Sequence, residues 1–205
     1  ILGYFIDFTQ PVLQENLDKL TASRASRAED MVKKLRAEGV SINFGEVAAY
    51  SNGGAIGRPH IAQILVKHGF VKSINEAFER YLGRNGPAYV PKYVLEVTEV
   101  IDLIHSVGGV ASLAHPGVAG TSEEFLAWLK EKGLDAVEVW HSDHTDQEIA
   151  HYQNLATKYG FLATGGSDCH GEGKSRGFVL GSIDIPDRII PPLLARSRQV
   201  KQSRS

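Results

Sequence analysis

The stretch Gly165-Gly166-Ser167-Asp168-Cys169-His170-Gly171 places a carboxylate and an imidazole two residues apart, framed by glycines. It follows Tyr159-Gly160-Phe161-Leu162-Ala163-Thr164, an apolar run that reads as a short buried strand. If the backbone stays extended past the strand end, Asp168 and His170 point the same way. Mixed oxygen and nitrogen donors of this kind suit a hard divalent ion such as Mn²⁺. The plainer alternative is an aspartate that caps a turn beside a solvated histidine. Cys169, between them, should face the other side, where it reads as a packed thiol rather than a nucleophile.

Two further strand patterns repeat the theme. Gly109-Val110-Ala111-Ser112-Leu113-Ala114 ends in His115-Pro116-Gly117, and Ala136-Val137-Glu138-Val139-Trp140 ends in His141-Ser142-Asp143-His144. Three successive strands thus deliver His or Asp at their carboxyl ends. That end is where parallel α/β sheets and barrels build active sites.

The elements that must position these residues can be read in order. The apolar stretch from Ile1 to Phe8 reads as a strand. Pro11 opens a helix at a favoured first position, and Gly39 stops it after Glu38. Its charges, Arg24, Arg27, Lys33, Lys34 and Arg36, read as a solvated face. Shorter helices follow at Phe44 to Tyr50, at Pro59 to His68, and from the capping box Ser73-Ile74-Asn75-Glu76 to Leu82. No strand pattern interrupts Pro11 to Leu82, so residues 11–92, with a Gly/Pro-rich return loop, read as a helical insertion. From Glu96 onward helices and strands alternate at a period of roughly 25 residues, as in a parallel sheet with right-handed crossovers. Phe178 to Ile183 is one more strand candidate. Residues 186–205 turn polar and basic and read as a fraying tail.

Composition narrows the class. The chain has 205 residues, 42% hydrophobic and 22% charged, which is ordinary for a globular protein. A formal net charge of −2 provides no overall basic field, so no stable DNA partner is implied and phosphate affinity must be local. One cysteine excludes an internal disulfide and fits a reducing compartment. No apolar run approaches a membrane span and no signal-peptide pattern is present, so the reading is cytoplasmic.

Ala114-His115-Pro116-Gly117, Val137-Glu138-Val139-Trp140-His141 and Gly166-Ser167-Asp168-Cys169-His170-Gly171 together resemble the PHP (polymerase and histidinol phosphatase) superfamily of metal-dependent phosphoesterases. Gly57-Arg58-Pro59-His60-Ile61-Ala62 and the stretch from Gly83 to Lys92 resemble its branch with a helical insertion. That branch acts as a nucleoside 3′,5′-bisphosphate phosphatase and 5′-to-3′ exoribonuclease. The resemblance implies an α/β fold, a distorted (β/α)7 PHP barrel. Residues 1–10 would be one barrel strand, 11–92 an inserted all-helical subdomain, 93–185 the C-terminal part of the barrel, and 186–205 the tail. It also implies two or three divalent metal ions, manganese foremost, with Zn²⁺, Fe²⁺ or Mg²⁺ as other candidates.

The family's opening His-x-His pair and its next ligands are not in this sequence, so the barrel is expected to be incomplete. The resemblance leaves His115, Asp168 and His170 as metal ligands, with the metal-activated water as the only catalytic group. The 205 residues alone are then expected to be poorly active. Arg58 and His60, at a helix start, and Lys174 and Arg176, just past the metal corner, are the candidates for binding a nucleotide or short RNA substrate. The alternative for Arg58 and His60 is a surface arginine and a capping histidine. The resemblance implies supporting roles for His141 and His144, and His68, His105 and His151 receive none. Two other functions stay open: a different PHP phosphatase, such as one acting on histidinol phosphate, and a non-catalytic nucleotide- or metal-binding module.

Overall fold

Side-chain caps and glycines set most element ends. The computed structural model describes residues 1–51, 54, 56–169 and 180–203. Among these, Asn43, Ser73, Ser122 and Thr145 each accept a backbone N–H at the start of a helix, satisfying a donor that has no partner within the helix. Gly39, Gly69, Gly133 and Gly160 follow helix ends with φ between 65° and 89°, a left-handed conformation that glycine adopts without penalty. The chain divides into two compact units, residues 1–13 with 95–205, and residues 14–94.

The first unit is a mixed α/β layer. β1 (Leu2–Tyr4), β2 (Val110–Leu113), β3 (Ala136–His141) and β4 (Leu162–Gly166) lie in that order. β1 runs antiparallel to β2, and β2, β3 and β4 run parallel. Alternation gives the sheet two different faces. On one, Ala111, Leu113, Val137, Val139 and Ala163 pack with apolar residues of α5 (Val97–Ser106), α6 (Glu123–Glu131) and α7 (Asp146–Tyr159). The other face changes character along its length. Val110, Ala136 and Leu162 open the parallel strands and pack with Leu193. One step further come buried polar groups, Ser112, Glu138 and Thr164. The Ser112 and Thr164 hydroxyls bond at 2.8 Å, and Tyr4 reaches Thr164 as well. The polar end of this face is the carboxyl end of the strands.

β3 carries one extra residue. Glu138 pairs with Thr164 and Trp140 with Gly165, leaving Val139 without a register partner on β4.

Four readings from sequence are corrected here. The first strand stops at Tyr4 because Phe5 turns to φ 57°. The fourth begins only after Gly160, since Tyr159 still belongs to α7. The segment read as a fraying tail is helix α8 (Ile190–Gln202), entered through a 3₁₀ turn at Asp187–Ile189. Leu193, Ser197 and Val200 recur at helical spacing, and all three are buried. Arg196 on α8 donates to Asp135, which also accepts from His105 and from the amide of Ala111. Leu180 to Ile183, the described part of the last strand candidate, is not extended ladder, and Phe178 and Val179 lie outside the described residues.

The second unit is helical, with no strand among its described residues. It contains most of α1 (Pro11–Ala37), then α2 (Phe44–Tyr50), α3 (Arg58–Lys67) and α4 (Ile74–Ala77), which continues as a π-helical turn to Leu82. Met31, Leu35, Val47, Ile61, Ile64, Leu65 and Leu82 form its core.

Candidate active site

Each parallel strand delivers a titratable side chain at its carboxyl end. His115 stands two residues beyond β2, His141 closes β3, and Asp168 stands two residues beyond β4. The His115 and His141 rings are 5.5 Å apart between centroids, and His141 Nε2 is 3.8 Å from Asp168 Oδ2. His115 (φ 31°) and Asp168 (φ 49°) both hold left-handed backbone, a conformation that costs a non-glycine residue about 1–3 kcal/mol and concentrates at functional sites. Asp168 is therefore not extended, as the sequence reading required. Burial pushes the His141 imidazole below its ordinary pKa and outweighs the attraction of Glu138 and Asp168, so the ring is neutral at pH 7.

Backbone contacts fix which nitrogen of each ring carries the proton. His141 Nδ1 accepts the amide of Asp143 at 3.1 Å, so the hydrogen of the neutral ring sits on Nε2, facing Asp168. His144 is the reverse. Its Nδ1 donates to the Val139 carbonyl at 2.8 Å, and its Nε2 accepts the amide of Gly117 at 3.1 Å.

No protein-family model matches the chain. Among curated proteins it is 33% identical over 174 residues to the 5′-3′ exoribonuclease Rnm of Escherichia coli, covering 83% of this chain and 59% of that protein. It is 29% identical over 191 residues to the 3′,5′-nucleoside bisphosphate phosphatase of Chromobacterium violaceum, covering 91% of this chain and 67% of that one. A solved structure described as a metal-dependent phosphoesterase, from Bifidobacterium adolescentis, superposes with a TM-score of 0.70 at 30% identity, over 93% of this chain and 68% of that chain. The chain belongs to the PHP superfamily of metal-dependent phosphoesterases. It spans only part, 59% to 67%, of the length of these two curated relatives.

Among the described residues, His115 and Asp168 are the groups whose donors could take a divalent ion. His115 Nδ1 and His141 Nε2 are buried side-chain nitrogens without a hydrogen-bond partner among the described residues, and burying an unpaired polar atom is costly. A cation held by a His115 nitrogen and the Asp168 carboxylate would relieve the first, while the N–H of His141 is a donor to oxygen rather than a ligand. Among the described residues, no three His, Cys, Asp or Glu groups converge closely enough to hold a metal by themselves. His170, Lys174 and Arg176 lie outside the described residues.

Arg58 and His60 belong to the helical unit. The Arg58 guanidinium sits 5.2 Å from the Phe78 ring centroid and 5.8 Å from that of Tyr89, and it donates to the Leu82 carbonyl at 3.1 Å. Arg27 approaches the same Tyr89 ring at 5.9 Å. His60 Nδ1 accepts the amide of Gly57, closing the start of α3 and leaving Nε2 as the donor.

Sequence reasoning gave Glu138 no role. It is 3% exposed, and its Oε2 accepts the amide of His115 at 2.7 Å. The available signal was a lone acid inside an apolar strand. Gly117 is equally constrained. A Cβ there would lie 2.8 Å from His144 Cδ2 and 3.0 Å from Glu148 Oε1, and Tyr152 stacks against the same imidazole. Gly117→Ala is expected to cost about 1–3 kcal/mol through overpacking, read from urea unfolding followed by tryptophan fluorescence. An unchanged midpoint would mean that the turn yields freely.

Proposed function

We propose that this chain carries part of the catalytic centre of a phosphoesterase that hydrolyses nucleotide phosphates: nucleoside 3′,5′-bisphosphates, the 5′ ends of short RNA, or both. The observation that carries the reading is the approach of His115, His141 and Asp168 at the carboxyl pole of the sheet, with buried imidazole nitrogens that have no hydrogen-bond partner among the described residues. The named activities of the relatives, an exoribonuclease and a bisphosphate phosphatase, support the substrate class.

His115, Asp168 and His170 would hold metal, Mn²⁺ foremost, in a barrel of which this sheet is one part. A bound divalent ion would lower the pKa of a water and offset phosphate charge. The chain's own residues do the rest. His141 presents a neutral N–H to an oxygen near Asp168, and the two strained backbones fix the direction of approach. The helical unit, residues 14–94, acts as the inserted subdomain, and within it Arg58 and His60 are the candidates for binding a phosphate. Arg58 lies within cation–π reach of two aromatic rings and gives one N–H to Leu82, so the rest of its planar fork suits a phosphate. Lys174 and Arg176, outside the described residues, are further candidates for substrate binding, and the protein works in the cytoplasm.

The test is turnover of a nucleoside 3′,5′-bisphosphate and of a short 5′-phosphorylated RNA with Mn²⁺, and without it after chelation. Metal-independent turnover, or none on either substrate by the intact protein, would overturn the reading. The 205 residues assayed alone are expected to be far slower, because three ligands do not complete the family's set. Arg58→Ala should raise KM or lower kcat on the order of tenfold, with metal content unchanged. If neither constant moves, Arg58 is a packing residue.

A further inference from the structure

The turn His115-Pro116-Gly117 is held by Glu138 on β3, which has no role so far, and by His144 in the loop after β3, whose supporting role has had no stated target. Glu138 Oε2 accepts the amide of His115 at 2.7 Å, and His144 Nε2 accepts the amide of Gly117 at 3.1 Å. Both acceptors are buried, Glu138 at 3% and His144 at 8% exposure. His144 can accept only because its other nitrogen donates to the carbonyl of Val139, the residue that lacks a register partner on β4. Its ring is stacked on Tyr152, and Gly117 leaves no space beneath it. His115 itself holds φ 31°, which persists only if its surroundings impose it.

We propose that Glu138 and His144 are positioning residues for His115. Together they pin the two amides that flank Pro116, hold the strained backbone of His115, and so set the direction of its ring toward the metal. The inference rests on the metal-dependent reading for its purpose but not for its geometry. Bonds of this kind, one step behind a ligand, govern affinity because a ligand free to rotate must be ordered when the ion binds.

The test separates hydrogen bonding from charge. Glu138→Gln keeps an oxygen that accepts the His115 amide, and Glu138→Ala removes it. In the metal-free full chain, amide exchange at His115 should be faster in Glu138→Ala and close to wild type in Glu138→Gln. Mn²⁺ affinity should fall roughly 10- to 100-fold in Glu138→Ala and be restored in Glu138→Gln. Unchanged exchange in Glu138→Ala overturns the proposal. So does a Glu138→Gln protein as defective as Glu138→Ala, since charge would then be the contribution. So does faster exchange with undiminished Mn²⁺ affinity, because the turn would then not aim His115. If Glu138→Ala does not fold, His144→Ala, followed at the Gly117 amide, carries the same decision. A wild-type protein that binds no Mn²⁺ overturns the metal reading alone, and the exchange data still judge the clamp.

Discussion

Asp168→Asn should lower kcat by on the order of a thousandfold while leaving the fold intact. Asparagine tolerates the left-handed backbone that Asp168 holds at φ 49°, so the change removes charge without adding strain. If Asp168 holds metal as proposed, losing its carboxylate withdraws several kcal/mol of metal-derived stabilisation, and about 4 kcal/mol corresponds to about a thousandfold in rate. Metal content should fall in parallel, and Asp168→Ala should match it with a small additional loss of stability. The side chain is exposed, so the unfolding midpoint of Asp168→Asn should stay at the wild-type value. Full metal content with normal kcat in Asp168→Asn would remove Asp168 from the centre.

The second large effect lies at the opposite end of the strands. Asp135→Ala should destabilise the α/β unit by about 3 kcal/mol, the lower end of the range for breaking a buried ion pair. The carboxylate is 2% exposed and binds three donors: His105 and Arg196 at 2.7 Å each, and the Ala111 amide at 2.8 Å. Arg196 keeps 38% of its side chain in water, which moderates the loss. Both tryptophans, Trp128 and Trp140, belong to this unit, so their fluorescence follows its unfolding. Burial pushes the Asp135 carboxyl up, but its bonds from His105, the Ala111 amide and Arg196 outweigh that and hold it below the ordinary value. A depressed carboxyl contributes stability that is complete above the unfolded-state value, about 3.9, and is lost as pH falls through the folded one. Asp135→Asn should therefore flatten the stability profile below about pH 4. A profile as steep as wild type would place the acid sensitivity elsewhere.

Much of this was legible in the sequence because local chemistry fixed it. The Ser73 capping box announced a helix start, and Gly39 announced the end of the first helix. His115 and Asp168 stood out because strand patterns ended just before them. What stayed hidden depended on contacts distant in sequence. α8 looked like a tail since three buried positions were scattered among arginines and glutamines, and only Val110, Ala136 and Asp135 reveal why it docks. Glu138 was visible as an anomaly, but its partner is an amide 23 positions earlier. The direction taken by Asp168 was lost for a simpler reason: motif spacing assumes a backbone, and this one is left-handed.

The unpaired residue in β3 also bears on how this site can change. In a regular strand, residues three apart face opposite sides. Here Glu138 touches the His115 amide and His141 lies beside the His115 ring, so both serve one face across an odd interval. That parity belongs to the count of residues between them, not to their identities. Substitution can therefore vary the chemistry at either position while the geometry persists. Insertion or removal of a single residue between them would turn one of the two away, however faithful the rest of the strand remained.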